Sequence, residues 1–288
     1  MRDDRTKRRL IVPGDLKGLR LDQALAALVP QMSRRAARAL IESGAVYLEG
    51  RRCRTASKFV LAGAAISIED GPPPPNERAV EVRVLWEGEG ILALDKAAGV
   101  PFAPTRSTVQ GTLLHALARK LGRPINQLHP IHRLDAPTSG VVLVALDAPA
   151  GAFLSQALQD GRIQKTYLAW VAGVPVPAEG EWSWPLTEVQ GDGRVHIEPT
   201  GRPSLSRYKL IEQRTDSSLL ELQPITGRTH QLRAHCAHAG HPILGDKTYH
   251  GPLTAKRALL HAWKIVLPLP GGGEISLEAP APGDMKGG

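Results

Sequence analysis

The chain has 288 residues, 42% of them hydrophobic and 22% charged, with a formal net charge of +8 and a pI near 9.7. Such a length suggests about two folded domains. The two cysteines, Cys53 and Cys236, fit neither a disulfide framework nor a paired metal-ligand pattern, so a reducing, cytoplasmic setting is expected. No apolar run reaches the length needed to cross a bilayer, and none follows the charged Met1–Arg9 stretch, so neither a membrane span nor a secretory leader is expected.

The positive charge is uneven. Residues 1–72 hold 14 Lys+Arg against 8 Asp+Glu, whereas residues 73–288 hold 22 against 20. An excess gathered in the first quarter favours a polyanionic partner over a small neutral substrate, although a solvated basic face would look the same.

Residues 1–18 read as a polar, partly ordered arm. Leu21, Ala24, Leu25, Leu28 and Val29 follow helical spacing, and Pro30 stops the run. Ser33 suits the N-cap of a second helix with Ala37, Leu40 and Ile41 inward and Gly44 just past its end. Arg34, Arg35 and Arg38 project from that helix. Val46–Leu48 and Ala65–Ile68 read as short strands around a turn at Glu49-Gly50. Arg20-Leu21-Asp22, Ser33-Arg34-Arg35, the Gly44 turn and Val46-x-Leu48-x-Gly50 together resemble the alpha-L RNA-binding domain of a small-subunit ribosomal protein and many RNA-modifying enzymes. The resemblance implies that the arginines of the second helix meet phosphates.

Residues 72–79 are proline-rich and read as a semi-rigid linker, separating a first domain (1–71, arm included) from a second (80–288). Val80, Val82 and Val84 alternate as a half-buried strand, and Ile91–Lys96 is another. Leu113, Leu114, Leu117 and Leu121 form a helical core stripe. The β-branched run Val141–Leu146 reads as a buried strand. Pro149–Leu158 is expected to be a helix and Lys165–Gly173 a strand. Residues 175–204 read as loops or a short hairpin near a site entrance. Leu219–Leu222 is a strand, and Thr226–His235 opens a helix with Leu232, Cys236 and Ala239 on one face. Gly240 suits its left-handed end, and a last strand runs through Leu267. No internal repeat is present.

The densest chemistry lies at His129–Gly140, where Asp135 occupies a loop entering the Val141 strand. Functional side chains are often held on loops fixed by a rigid element. Taken alone, an Asp beside arginines reads as structural. The histidines invite a metal, but two His four apart on a helix with a Glu between them are lacking, so no metal is expected and the histidines read as loop-orienting groups.

His132-Arg133-Leu134-Asp135-x-x-Thr138-Ser139-Gly140 resembles the signature of the RluA-type pseudouridine synthases. Lys96-x-x-Gly99 resembles that family's first motif, with Ala97 departing from its usual proline, and Lys165-x-Tyr167 resembles its third. Gly227-Arg228-Thr229-His230-Gln231, Gly245-Asp246 and Tyr249 follow in the family's order. The resemblance implies that Asp135 is catalytic, acting either as nucleophile at the anomeric carbon or as base on the neighbouring proton. Arg133 would fill the place of a flipped base, Tyr167 would stack on uracil and help remove the proton at carbon 5, and Arg228 would pair with Asp135. His132 and Lys96, with Arg34, Arg35 and Arg38, complete the expected RNA-contact set. The reaction is an isomerisation, so no cofactor is expected.

The fold class expected is α+β: a small helix-rich RNA-binding domain, then a mixed, mostly antiparallel sheet domain with flanking helices. The function implied is pseudouridine formation in structured RNA. Large-subunit ribosomal RNA is the first substrate expected and transfer RNA the alternative, with a monomeric protein acting in the cytoplasm. An RNA-binding protein with a silent active site and a metal-dependent hydrolase acting on RNA are the competing classes.

Overall fold

A computed structural model describes residues 7–30, 32–69, 80–104 and 111–285. The proline-rich linker expected at 72–79 and the first six residues of the arm lie outside the described residues. The chain divides into two compact units, one of residues 1–80 with 104–112, the other of residues 81–103 with 113–288.

The first unit contains β1 (Lys7–Ile11), α1 (Leu21–Leu28), α2 (Arg34–Ser43), β2 (Val46–Leu48), β3 (Arg51–Arg52) and β4 (Ala65–Glu69). Its sheet runs β1-β4-β2-β3, antiparallel throughout. Ser33 caps α2 by accepting from the Ala36 amide at 3.1 Å, and Gly44 ends it at φ +85°. Leu21, Leu25, Ala37, Ile41, Val46 and Ile66 form the core beneath the two helices. Glu49 and Gly50 both have positive φ, which closes the β2–β3 hairpin tightly. Lys7–Ile11 was expected within a loose arm and is instead an edge strand. Leu10 packs on the core while Arg8 and Arg9 face water, a charged pattern that protects a sheet edge.

The second unit contains, in chain order, β5 (Arg83–Gly88), β6 (Ile91–Lys96), α3 (Leu113–Leu121), β7 (His129–Pro130), β8 (Ser139–Ala145), α4 (Ala148–Gln159), β9 (Gln164–Ala172), β10 (Glu179–Trp182), β11 (Ser206–Gln213), β12 (Ser217–Pro224), α5 (Gln231–His238), β13 (Leu260–Pro268) and β14 (Glu274–Glu278). One mixed sheet runs β10-β11-β12-β9-β13-β8-β6-β5, with β7 added to β8 and β14 to β13. Only β8 and β13 are parallel, so the sheet is mostly antiparallel.

β8 is buried at all seven positions, as its unbroken apolar run requires. Its start is set by Gly140, which has φ +112° and faces β13 so closely that a Cβ would stand 2.1 Å from the Ala262 carbonyl oxygen. Only glycine lets the loop carrying Asp135 dive directly into the sheet here. Asp147 caps α4, whose Ala150, Leu154 and Ala157 pack with Val141, Leu143 and Ile265. Two expectations shift. The strand expected from Val80 begins at Arg83, with a bulge between Val84 and Trp86. Residues 175–204 contribute an edge strand, β10, followed by a loop drawn together where Leu186 bridges Ile197 and Arg202.

Candidate active site

A cavity of about 630 Å³ opens in the second unit, walled by the loop before β8, the start of β9 and the turn leading into α5. Asp135 is the one carboxylate among its lining residues, which also include Arg133, Lys165, Tyr167, Arg207, Arg228, His230 and Arg233.

The loop holding Asp135 is tied at successive carbonyls. Thr138 N–H donates to the Asp135 carbonyl at 3.1 Å, and Gly99 N–H to that of Ala136 at 2.7 Å. Lys96 Nζ also donates to the Ala136 carbonyl at 3.2 Å, and to those of Ala97 at 3.0 Å and Val100 at 2.7 Å. Arg257 Nη1 donates to the Pro137 carbonyl at 3.2 Å while Asp284 holds its other nitrogens. At the strand's first residue, His261 Nε2–H donates to the Ala279 carbonyl, which leaves Nδ1 to accept from the Ser139 hydroxyl at 2.9 Å.

The carboxylate itself meets Arg233. Arg233 Nη1 donates to Asp135 Oδ2 at 3.0 Å, while Nε and Nη2 grip Asp246 in a bidentate pair at 2.7 Å each. Burial opposes the charge on Arg233, but Asp246 and Asp135 outweigh it and hold the guanidinium above its ordinary range. Asp246 is fixed in turn by the Thr248 and Tyr249 amides. His230 stands on the other side, with Nε2 3.6 Å from Asp135 Oδ2 and Nδ1 3.1 Å from the Tyr249 hydroxyl. Its pKa is lowered by burial first, with Asp135 pulling the other way, so the imidazole is neutral. With Asp135 as acceptor, Nε2 carries the proton and Nδ1 accepts from Tyr249.

The sequence expectation for Arg228 is corrected by this geometry. Arg228 is exposed on the turn before α5, with Nε donating to the Pro203 carbonyl at 3.3 Å, and it does not pair with Asp135. The helix begins only at Gln231, because His230 sits in left-handed conformation at φ +55°. Gln231 gathers that turn, accepting from the Arg228 amide and the Thr226 hydroxyl and donating to the Leu205 carbonyl. Arg233, in the first turn of the helix, is therefore the arginine that faces inward. The sequence signal for it was the buried Gly245-Asp246 pair, which needs a cation, and Arg233 is the arginine within α5.

Two further residues of the expected RNA-contact set bond within the protein itself. Lys96 is fully buried, and its ammonium serves the three carbonyls above; burial lowers its pKa to about 7. His132 is half-buried, and its Nε2 accepts from the Leu143 amide at 3.3 Å; burial pushes its imidazole down to about 3, so it stays a neutral acceptor.

Arg133 is exposed at the cavity and has no hydrogen bond or ion pair among the described residues. Tyr167 is 8% exposed on β9 beside the cavity. Burial, reinforced by Asp135, raises its pKa above the usual phenol range, which disfavours a phenolate. In the first unit Arg35 is exposed, Arg38 pairs with Glu42 at 2.8 Å, and Arg34 Nε holds the buried Asp22 at 3.2 Å. The later histidines disperse. His235 bonds Ser204 and Ser206, His238 lies edge-on to Trp184, and His241 Nδ1 donates to the Ala172 carbonyl.

Residues 90–238 match the family described as RNA pseudouridylate synthase, and residues 19–66 match the S4 domain. A Chloroflexus aurantiacus protein called "Uncharacterized RNA pseudouridine synthase" is 38% identical, covering 97% of this chain and 92% of the relative. "Ribosomal large subunit pseudouridine synthase D" of Nitrosomonas europaea is 34% identical, covering 96% and 85%. Among solved structures, "Human RNA Pseudouridylate Synthase Domain Containing 1" superposes with a TM-score of 0.60 at 26% identity over 70% of this chain and 84% of that one. With its single carboxylate held in a cation-lined cavity, this chain belongs to the RNA pseudouridylate synthase family and is an RNA pseudouridine synthase carrying an S4 domain.

Proposed function

We propose that Asp135 is the carboxylate that acts at the sugar of a uridine extruded into the cavity, and that large-subunit ribosomal RNA is the substrate. The observation that carries the first part is that, among the described residues, Asp135 is the only carboxylate lining the cavity and is held there by Arg233. The ribosomal name of the Nitrosomonas relative supports the second.

A base inside stacked RNA cannot be reached, so the nucleotide must leave the stack, at a cost of a few kcal/mol. Arg133, exposed where it lines the cavity, takes the vacated position. Tyr167 offers its ring face to the uracil. Asp135 then either attacks the anomeric carbon or takes the adjacent sugar proton. In both cases the bond to N1 breaks with its electron pair leaving on the base and the ring turns; carbon 5 then displaces the carboxylate from the anomeric carbon, or adds to the sugar double bond as Asp135 returns the proton to the neighbouring carbon, and the proton on carbon 5 is lost. The neutral state of Tyr167 makes a hydrogen-bonding or stacking role the better fit than that of a ready base. Residues 1–71 supply affinity through the exposed face of α2, and the protein acts as a monomer in the cytoplasm.

The test is to incubate the purified protein with unmodified large-subunit ribosomal RNA and with transfer RNA, then map pseudouridine. New pseudouridine in the ribosomal RNA is expected. Modification of transfer RNA alone would overturn the substrate assignment.

A further inference from the structure

Lys165 is the second residue of β9, two before Tyr167, and both side chains line the cavity. It is half-buried, and among the described residues its ammonium makes no hydrogen bond and no ion pair. Burial lowers its pKa, and no carboxylate offsets the effect. Asp135, whose charge is shared by Arg233 and His230, does not compensate it. Nζ lies 3.8 Å from where a Cβ on Gly227 would stand, so the absent side chain at 227 leaves the ammonium approachable from the cavity. A buried cation without a partner is costly to hold. Its retention at this wall is explained by a ligand that supplies the acceptor.

We propose that Lys165 is a further catalytic residue, whose ammonium donates to a carbonyl oxygen of the flipped uracil and stabilises the negative charge that the ring acquires when its bond to the sugar breaks. The inference rests on the cavity being the site of reaction. It does not depend on which role Asp135 plays. If the Asp135 carboxylate bonds to the anomeric carbon, N1 leaves with the bonding pair. If Asp135 instead takes the sugar proton, the pair from that C–H forms the sugar double bond, and N1 again leaves with its pair. Either way the free base is an anion with charge on N1, O2 and O4. Charge that develops during reaction is where a fixed donor in a dry site acts most strongly.

The chemistry of the turn adds a second reason. Rotating uracil about the line through N3 and C6 exchanges N1 with C5 and O2 with O4. A donor fixed beside one carbonyl before the turn meets the other afterwards. One ammonium therefore serves both the breaking and the forming bond, and needs no movement of the strand that carries it.

The test uses single-turnover kinetics with the full chain in excess over a ribosomal RNA fragment that the wild type modifies. Lys165→Met keeps the apolar stem and removes the ammonium. The rate constant is expected to fall about 10²–10³-fold, the effect of losing one such donor. RNA affinity should be unchanged, and Tm equal or higher, because an uncompensated buried charge has gone. Lys165→Arg should restore part of the rate. A Lys165→Met rate near wild type would overturn the proposal, as would weakened binding with the saturated rate intact, which marks a phosphate contact. A lowered Tm would mark a structural lysine, and an arginine that restores nothing would argue against the charge. Asp135→Asn is run in parallel. If it still turns over, the reading of the cavity is wrong; if it is silent while Lys165→Met is normal, only the role of Lys165 fails.

Discussion

Arg233 donates to Asp135 at 3.0 Å while holding Asp246 with its two other donor nitrogens. Three charges thus share one junction, and Asp246, only 1% exposed, has no ion-pair partner besides Arg233 among the described residues. Arg233→Met would leave Asp246 buried and unpaired, at a cost of about 3–5 kcal/mol. Thermal melting should show a large loss. Arg228→Met removes an exposed side chain and should leave Tm and the single-turnover rate close to wild type, with any effect confined to RNA affinity. Equal damage from the two substitutions would contradict the assignment of Arg233 as the partner of Asp135.

Four wholly or partly buried imidazoles set an acid sensitivity. Burial is the leading cause of a lowered pKa at His132, His230, His235 and His261. Unfolded, each binds a proton below about 6.5. Folded, His132 resists protonation down to about 3. Between those limits the unfolded state holds more protons, so stability falls as pH falls. Tm should decline from pH 7 to pH 5, and His132→Gln should show a shallower decline. A flat Tm across that range would contradict the neutral, buried state of these rings.

Much of this frame is legible in the sequence, for physical reasons that differ by element. The runs Ile91–Leu94 and Val141–Ala145 are continuous and apolar because their strands are buried on both faces. α2 was legible from Ser33 and Gly44, which serve as its caps. Lys7–Ile11 was not, since an edge strand that carries its charges outward looks like an arm. The choice between Arg228 and Arg233 turned on where α5 begins, and that is set by the left-handed backbone of His230, which spacing does not reveal. Lys96 entered the expected RNA-contact set through its motif resemblance; its carbonyl partners at Val100 and Ala136 are set by tertiary structure, which the motif does not show.

Gly140 gives a sharp test of the strand entry. A methyl group there would collide with the Ala262 carbonyl across the parallel β8–β13 pair, on a backbone at φ +112°. Gly140→Ala should abolish activity and lower Tm markedly, since backbone on backbone cannot be relieved by a rotamer change. A stable, active Gly140→Ala protein would show that the loop carrying Asp135 enters the sheet in another way.

The arginines of α2 should separate by function. Arg35 is exposed, so Arg35→Gln should weaken RNA binding and reduce its salt dependence by about one unit of slope per lost phosphate contact, with Tm unchanged. Arg34 also holds the buried Asp22, so Arg34→Gln should lower stability as well. Binding that keeps its strength and salt slope in both variants would remove α2 from the RNA-contacting surface.

The most direct measurement is the single-turnover rate of Asp135→Asn, with enzyme saturating over substrate RNA and folding checked by melting. The amide keeps the shape and can still accept from Arg233, but it is a far poorer nucleophile and base. The expected result is RNA binding close to wild type with no pseudouridine formed above background. A folded Asn variant that converts uridine at a rate near wild type would show that Asp135 is not the carboxylate that does the chemistry.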